Sequence, residues 1–234
     1  MDSLLSFGLQ WDAEIYYQSQ HLADYQRLLQ QLLNQHQLYA CRCSRKTLAN
    51  QDVYPGFCRN QDYVDDHQTA LRLRIQPQNL CFNDALQGSF AQNLADVDGD
   101  FIVRRKDQIV AYQFAVVVDD FAQGVTHVVR GVDLLDSTPK QIYLQQILGY
   151  STPRYSHLPV IVDTYGKKLS KQTLATPVDS HQPAAALFLI LQLLGQNPPA
   201  NLSKTSVSEQ LNWAIAHWQP QLLKKIRAIV SPIL

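Results

Sequence analysis

The chain has 234 residues with 20 basic and 20 acidic side chains, so its formal net charge at pH 7 is zero. Apolar residues make up 46% and charged residues 17% of the sequence, a composition that excludes a disordered tail or a solvated linker. No apolar run reaches the roughly 18 residues of a membrane-spanning helix, and no secretory signal opens the chain, so we expect a cytoplasmic protein without a membrane partner.

The neutral sum conceals an uneven distribution of charge. Residues 1–100 contain seven basic and twelve acidic side chains, whereas residues 101–234 contain thirteen and eight. Zero net charge argues against a nucleic-acid partner, because such partners favour a basic surface. The surplus of five positive charges in residues 101–234 nevertheless permits contact with RNA there.

The spacing of apolar residues predicts alternating helices and strands in the first part of the chain. The expected elements are a helix over about 12–37, a cysteine-bearing segment over 39–59, a strand at 70–75, a turn at 82–88, an acidic loop at 96–100, a strand at 101–104 and a buried parallel strand at 125–129. Periodicity alone leaves both helix and strand open for residues 112–119.

Later elements are marked by helix caps and β-branched runs. They comprise a helix from about Thr138 to Leu148 that ends at Gly149, a strand within 157–163, a lysine-rich loop over 165–172, a helix over 183–194, a helix opened by the capping box at Ser206 and Glu209, and a last helix over 220–230. Strands interleaved with helices, followed by helices alone, predict an α/β domain with a helical segment after it.

Three thiols and a phenol lie within 18 residues: Cys41, Cys43, Tyr54 and Cys58. A tetrahedral zinc site needs four soft or borderline donors, and either Tyr54 or His67 could complete the three thiols. The alternative is that the thiols are small buried hydrophobes without a metal. The remaining cysteine, Cys81, is expected to be a core thiol.

The Lys-Lys-Leu-Ser-Lys segment at 167–171 follows a predicted strand. Ammonium groups at the carboxyl end of a parallel strand are suited to binding phosphate oxygens of a nucleotide. A solvated basic turn is the alternative.

Arg130 follows the apolar strand at 125–129 and precedes Gly131. Its guanidinium could bind a carboxylate with two hydrogen bonds, with Tyr112 presenting a hydroxyl to the same pocket. The alternative is a structural arginine that pairs with one of three nearby carboxylates: Asp119, Asp120 or Asp133.

Three long blocks of sequence, at 99–120, 124–141 and 157–172, resemble the glutamyl-tRNA-synthetase-like class I enzymes. Within that family the best match is the glutamyl-Q tRNA(Asp) synthetase branch, which is similar to the catalytic domain of glutamyl-tRNA synthetase without its anticodon-binding domain. The resemblance extends over about residues 1–230.

The resemblance implies that ATP activates glutamate as glutamyl-adenylate, with Mg²⁺, and that the glutamyl group passes to queuosine in the anticodon of tRNA(Asp). It implies that Tyr112 and Arg130 bind glutamate, Arg130 through the α-carboxylate. It implies that the catalytic Lys171 binds the phosphates from an ATP-binding loop made of Lys168, Leu169, Ser170, Lys171 and Gln172. It also implies one Zn²⁺ per chain, with these ligands: Cys41, Cys43, Tyr54 and Cys58.

The implied architecture is α/β, a Rossmann-like class I aminoacyl-tRNA synthetase catalytic domain with a zinc-binding insertion. The catalytic domain would occupy residues 1–175, with the insertion at about 39–60, and a C-terminal helical subdomain would occupy 176–234. No anticodon-binding domain is expected, and the protein is expected to be a monomer.

One departure from the family concerns its N-terminal signatures. Members begin with a strand, an H-x-G-type ATP signature and an Arg-Ile-Glu-Asp segment, none of which occurs in this sequence. The resemblance therefore implies an N-terminally truncated domain, explained by a mis-called start codon, a fragment or a true truncation. A mis-called start codon is the favoured explanation, because both later signatures and all four zinc ligands are intact. Alternative functions are glutamyl-tRNA synthetase-like aminoacylation and an inactive RNA-binding remnant.

Overall fold

A computed structural model describes residues 2–169 and 180–231. The described helices are α1 (Asp2–Ser6), α2 (Leu22–Asn34), α3 (Leu94–Val97), α4 (Tyr112–Ala122), α5 (Thr138–Leu148), α6 (Pro183–Leu193) and α7 (Val207–His217). The strands are β1 (Leu38–Cys41), β2 (Ala70–Leu73), β3 (Asn79–Asp84), β4 (Gly88–Asn93), β5 (Ile102–Arg104), β6 (His127–Gly131), β7 (Arg154–Leu158), β8 (Val160–Val162) and β9 (Ala228–Val230). None of these helices is long and apolar enough to cross a membrane.

The strands form three sheets. An antiparallel sheet has the order β1-β2-β5, and a four-stranded sheet has the order β4-β3-β7-β6. In the second sheet β3 and β4 form an antiparallel hairpin, while β7 runs parallel to both β3 and β6. Because α5 connects the parallel strands β6 and β7, these elements form a βαβ unit. Their carboxyl ends therefore meet at one edge of the sheet.

The hydrophobic core lies where α2, α4 and α5 meet the sheets. Its fully buried side chains include Leu32 of α2, Leu71 and Leu73 of β2, Phe114 of α4 and Leu144 of α5. Apolar positions three or four residues apart place one face of each helix against this core. The core thus holds the starts of α4 and α5 in a defined place relative to the sheet.

Several local predictions are confirmed. The strands expected at 70–75 and 101–104 are β2 and β5, and the ambiguous 112–119 segment is helical, in α4. Helix α5 spans the expected residues and ends at Gly149, whose φ of +71° is most readily adopted by a residue without a side chain. Helix α7 has the expected capping box, in which the Ser206 amide donates to Glu209 Oε2 (2.9 Å).

Other local predictions are wrong, because some apolar residues stay exposed to solvent and some segments pair with distant strands, whatever their local sequence pattern. The first long helix begins at Leu22 instead of residue 12, and Ile15 lies exposed before it. The turn predicted at 82–88 is confined to residues 85–87, since Phe82 belongs to β3 and Gly88 to β4. Cys81 is exposed on that strand and is not a core thiol. The strand predicted at 125–129 is parallel, as expected, but it is not buried: among the described strands β6 lies at the edge of its sheet, with Val129 63% exposed.

The C-terminal segment also differs from the prediction. The helix expected over 220–230 is a short 3-10 turn, Pro220–Leu223, followed by β9. Strand β9 pairs in parallel with β8, where the Val160 amide donates to Arg227 O (3.1 Å) and the Ser231 amide to Val162 O (2.8 Å). Backbone hydrogen bonds to a partner strand outweigh the helical pattern of this segment. The end of the chain thus flanks the strand that leads into the lysine-rich loop.

Candidate active site and metal centre

Three thiols and one phenol converge at the end of β1. Cys43 Sγ lies 3.5 Å from Cys58 Sγ, and the Tyr54 hydroxyl lies 3.5 Å from Cys41 Sγ and 3.7 Å from Cys43 Sγ. Tetrahedral zinc, with Zn–S bonds of about 2.3 Å, separates its donor atoms by about 3.8 Å. The cysteine cluster could therefore hold a metal ion, and its spacing fits zinc.

The structure also places the two candidates for a fourth donor. The Tyr54 hydroxyl lies among the three thiols and accepts a hydrogen bond from the Cys58 amide (3.0 Å). His67 is exposed and is not part of the cluster. The phenol, and not the imidazole, thus occupies the position of a fourth donor.

Gly99 allows the Tyr54 segment to approach the rest of the protein. Tyr54 donates its amide to Asp98 O (3.1 Å) and pairs with Gly99 in an isolated bridge. Gly99 has φ +66°, and a Cβ there would lie 2.5 Å from Tyr54 O. A side chain at this position would therefore push the phenol away from the thiols.

Arg72 brings a buried positive charge to the cluster. Its Nε donates to Cys41 Sγ (3.2 Å) and its guanidinium lies 3.7 Å from the Tyr54 ring centroid. Burial alone would raise the pKa of Cys41, but hydrogen bonds from Tyr54 and Arg72 outweigh it and lower that pKa. Burial raises the pKa of Cys43 to about 11 and also raises the pKa of Tyr54. Ionisation of these last two donors therefore calls for a bound cation.

Arg130 lies near the carboxyl end of β6 and is half-buried. Its Nε donates to His157 Nε2 (3.0 Å), and its Nη2 donates to Thr138 Oγ1 (2.9 Å) and to Leu134 O (3.3 Å). Within the described part of the chain its Nη1 has no hydrogen-bond partner. The guanidinium is thus held through its Nε and Nη2 atoms, and the N–H groups of Nη1 are left to bind a ligand.

The three carboxylates considered as structural partners of Arg130 have other roles. Asp119 accepts hydrogen bonds from Tyr25 and Gln18, and Asp133 forms an ion pair with Lys168. Asp120 forms no ion pair in residues 2–169 and 180–231; burial raises its pKa, and the positive charge of Arg130 opposes that rise. Arg130 thus acts on Asp120 through its charge, but within the described residues it forms no ion-pair contact with any of the three carboxylates.

Tyr112 is the first residue of α4 and is half-exposed. The next residue, Gln113, donates to Ser137 Oγ (2.9 Å) and accepts from Gln141 Nε2 (2.9 Å). These contacts join the start of α4 to the start of α5, where Thr138 binds Arg130. Tyr112 and Arg130 are thereby brought to the same region of the fold.

The lysine-rich segment begins in a tight turn after β8. Asp163 Oδ1 accepts the amides of Tyr165 (2.9 Å) and Lys167 (2.8 Å), and the Leu169 amide donates to Ile161 O (3.0 Å). Lys168 Nζ lies 2.6 Å from Asp133 Oδ2, so the turn contacts the segment that follows Arg130. This hydrogen bond from Lys168 lowers the pKa of Asp133.

The other loop residues singled out in the sequence, Ser170, Lys171 and Gln172, lie outside the described residues. Lys168 and Leu169 nevertheless place the start of the loop at the sheet edge that carries Arg130.

A buried pair near Arg130 was missed by the sequence reasoning. His157 Nδ1 lies 2.6 Å from Asp84 Oδ2, and both side chains are fully inaccessible to solvent. The available signal was a histidine at the start of a predicted β-branched strand, which is also the head of a sequence block already singled out. Asp84 carried no such signal, since it fell within a predicted turn.

Comparisons with known proteins identify the family of the chain. The family model for the class I tRNA synthetases (E and Q), catalytic domain, matches residues 58–215. A glutamyl-Q tRNA(Asp) synthetase of Ectopseudomonas mendocina is 44% identical over 230 residues, which cover 98% of this chain and 78% of the relative. A protein of the same name from Pseudomonas aeruginosa is 45% identical over 219 residues, covering 93% and 74%.

A solved structure shows the same fold. The crystal structure of glutamate-tRNA synthetase from Elizabethkingia anophelis superposes with a TM-score of 0.75 at 21% identity and covers the whole of this chain. The chain spans 57% of the length of that solved protein. The expected Rossmann-like class I catalytic fold is thus confirmed. The chain belongs to the family of class I tRNA synthetase catalytic domains (E and Q) and, within it, to the glutamyl-Q tRNA(Asp) synthetases.

Proposed function

We propose that the protein activates L-glutamate with ATP and transfers the glutamyl group to queuosine in tRNA(Asp). The observation that carries this proposal is the position of Arg130, held along one edge by His157 and Thr138 beside the lysine-rich turn. A fixed guanidinium is suited to a carboxylate, and neighbouring ammonium groups are suited to phosphates. The names of the relatives indicate which tRNA is modified.

In the activation step, a glutamate carboxylate oxygen attacks the α-phosphorus of ATP, and pyrophosphate leaves. Arg130 orients the α-carboxylate, and Tyr112 donates a hydrogen bond to the same substrate. Lys168 and Lys171, from the loop formed by residues 168–172, offset the negative charge of the phosphates, and Mg²⁺ bound with ATP would supply further positive charge there. The role of these groups is to hold two anions together and to offset the charge that develops on the leaving group.

For the metal centre we propose one zinc ion held by Cys41, Cys43, Tyr54 and Cys58. Four protein donors fill the coordination sphere, as in structural zinc sites. The ion would link the end of β1 to the loop that follows it. Arg72 would offset part of the negative charge of the ionised donors.

Three further expectations stay predictions. The protein is expected to be a monomer of the cytoplasm. The division into a catalytic domain over 1–175, with an insertion at about 39–60, and a C-terminal subdomain over 176–234 is also a prediction.

The test is the glutamate-dependent exchange of pyrophosphate into ATP without tRNA, with the P. aeruginosa relative as the positive control. Exchange by the 234-residue chain would support glutamate activation. Radioactive glutamate is then offered with tRNA(Asp) that carries queuosine or unmodified guanosine. We expect label in the anticodon fragment of the queuosine-containing tRNA alone. Label at the 3′ end would indicate ordinary aminoacylation, and absence of both reactions would indicate an inactive remnant.

Lys171→Ala is expected to slow pyrophosphate exchange about a hundredfold or more, because the developing phosphate charge loses a cation. The melting temperature should not change. Lys204→Ala, at the exposed end of a 3-10 turn, is the matched control. Equal exchange rates for the Lys171 variant and the parent protein would remove this lysine from the mechanism.

Arg72→Met is expected to lower zinc affinity about tenfold, as is typical when the hydrogen-bond partner of a ligand is lost. The substitution keeps an unbranched aliphatic stem, although methionine is shorter than arginine, and removes the charge and the donor to Cys41. Competition with a chromophoric chelator measures the affinity. Arg45→Met, at an exposed arginine of the same segment, is the control. Unchanged affinity in the Arg72 variant would contradict its electrostatic role.

A further inference from the structure

We propose that Asp84 and His157 are positioning residues for Arg130. The pair fixes which imidazole nitrogen carries the proton, so that the other nitrogen accepts the Arg130 Nε–H and aims the guanidinium at a substrate carboxylate. This inference rests on the proposed function of Arg130 in binding glutamate.

The hydrogen-bond partners determine the tautomer of His157. Arg130 Nε, 3.0 Å from His157 Nε2, can only donate. Thr138 Oγ1 lies 3.3 Å from the same Nε2 and can either donate or accept, so it does not oppose this assignment. Arg130 therefore requires that Nε2 accept and carry no proton. On the other side of the ring, Asp84 Oδ2 lies 2.6 Å from Nδ1, and a carboxylate can only accept. The proton is thus placed on Nδ1, as in other sites where a carboxylate orients an imidazole.

Asp84 is itself fixed by the backbone. Its Oδ1 accepts the amides of Leu86 (3.0 Å), Gln87 (2.8 Å) and His157 (3.2 Å). These bonds anchor the carboxylate to the turn between β3 and β4 and to β7. Asp84 therefore cannot rotate without losing three hydrogen bonds in the buried interior, and its Oδ2 remains directed at the imidazole.

The charges around His157 fit a neutral ring. Asp84 faces it from β3, Arg130 from β6 and Asp133 from the segment after β6. Burial lowers the pKa of His157, although Asp84 opposes this effect. Burial alone would raise the pKa of Asp84, but hydrogen bonds from His157 and the backbone lower it. A proton on Nε2 would instead put two N–H groups opposite each other and displace Arg130.

The Asp84→Asn variant distinguishes the effect of Asp84 on the His157 tautomer from its structural hydrogen bonds to the backbone. The amide keeps the shape of the carboxyl group, and its oxygen can still accept the three backbone amides that now bind Oδ1. Its nitrogen would replace Oδ2 and donate to His157 Nδ1. The proton of the ring is then expected to move to Nε2, where it opposes the Arg130 Nε–H.

The first measurement is the ¹⁵N spectrum of the full chain labelled with ¹⁵N-histidine, with His157 assigned through its ring and backbone couplings. We expect the Nδ1–H form in the parent protein and the Nε2–H form in Asp84→Asn. An Nε2–H or doubly protonated ring in the parent protein at pH 7.5 would overturn the proposal, whether or not the variant folds.

The second measurement is the affinity for L-glutamate and for its α- and γ-amides, by calorimetry. Asp84→Asn is expected to bind L-glutamate about tenfold more weakly, as is typical when a supporting hydrogen-bond partner is lost. Affinity should be unchanged for the α-amide, which lacks the carboxylate that Arg130 is proposed to bind. Asp12→Asn, the same change at an exposed carboxyl, is the matched control.

The outcomes separate this inference from the proposed function. Equal binding of L-glutamate by parent and variant, or an equal loss for all three ligands, would overturn the positioning role and leave glutamate binding intact. Absence of glutamate binding and of pyrophosphate exchange in the parent protein would instead refute the proposed function, and the inference with it.

Discussion

Arg130→Ala is expected to raise the KM for L-glutamate about a hundredfold or more. Truncation of one partner of a desolvated charge pair typically has an effect of that size. The variant loses the donors that face the ligand and also leaves His157 Nε2 without its Arg130 donor. The loss should appear in KM for glutamate in the pyrophosphate exchange assay. KM for ATP should not change.

Two further variants make this result specific. Arg130→Lys keeps the charge but not the planar pair of donors, so glutamate affinity should stay well below that of the parent protein. Arg154→Ala removes an exposed arginine from the start of β7 and should have no effect. An unchanged KM for glutamate in Arg130→Ala, in a folded protein, would contradict the assignment.

Cys58→Ser is expected to reduce the zinc content from about one ion per chain to a small fraction and to lower the melting temperature. Structural zinc sites contribute about 10 kcal/mol or more of folding free energy in small domains, because the site does not exist in the unfolded chain. Here the ion would join β1 to the loop that carries Tyr54 and Cys58. Metal analysis and thermal unfolding of freshly purified protein measure the two effects.

The fourth cysteine provides the control. Cys81 is exposed on β3 and is not a member of the metal cluster, so Cys81→Ser should leave zinc content and melting temperature unchanged. Absence of zinc from the parent protein would refute the metal centre. It would not affect the proposed activation of glutamate, for which we propose Arg130 and the lysine-rich loop.

Local signals in the sequence were sufficient for elements whose ends depend on their own residues. Helix α5 has a proline at its start and Gly149 at its end, and the capping box of Ser206 opens α7. The close spacing of the thiols and Tyr54 likewise predicted a cluster that the fold brings together. Such features depend on backbone geometry and short chain segments, which the sequence specifies directly.

Features that depend on distant partners were decided by the tertiary structure. Residues 228–230 form a strand because β8 offers a row of backbone partners. Arg72 is buried although it alternates with apolar residues in β2, because Cys41 Sγ, the Tyr54 ring and the backbone carbonyl of Asp100 provide partners for its guanidinium. Local periodicity carries no information about which surface will cover a given face.

The residue types and their spacing were enough to predict the class of fold and the cysteine cluster, and to suggest side chains for binding carboxylate and phosphate. The contacts that hold Arg130 in place depend on the folded structure. Its partners His157 and Thr138 come from β7 and α5, and Asp84, which orients His157, comes from β3. The physical reason is that hydrogen bonds between side chains far apart in sequence form only after the sheet and helices have brought those side chains within 3 Å or so of one another.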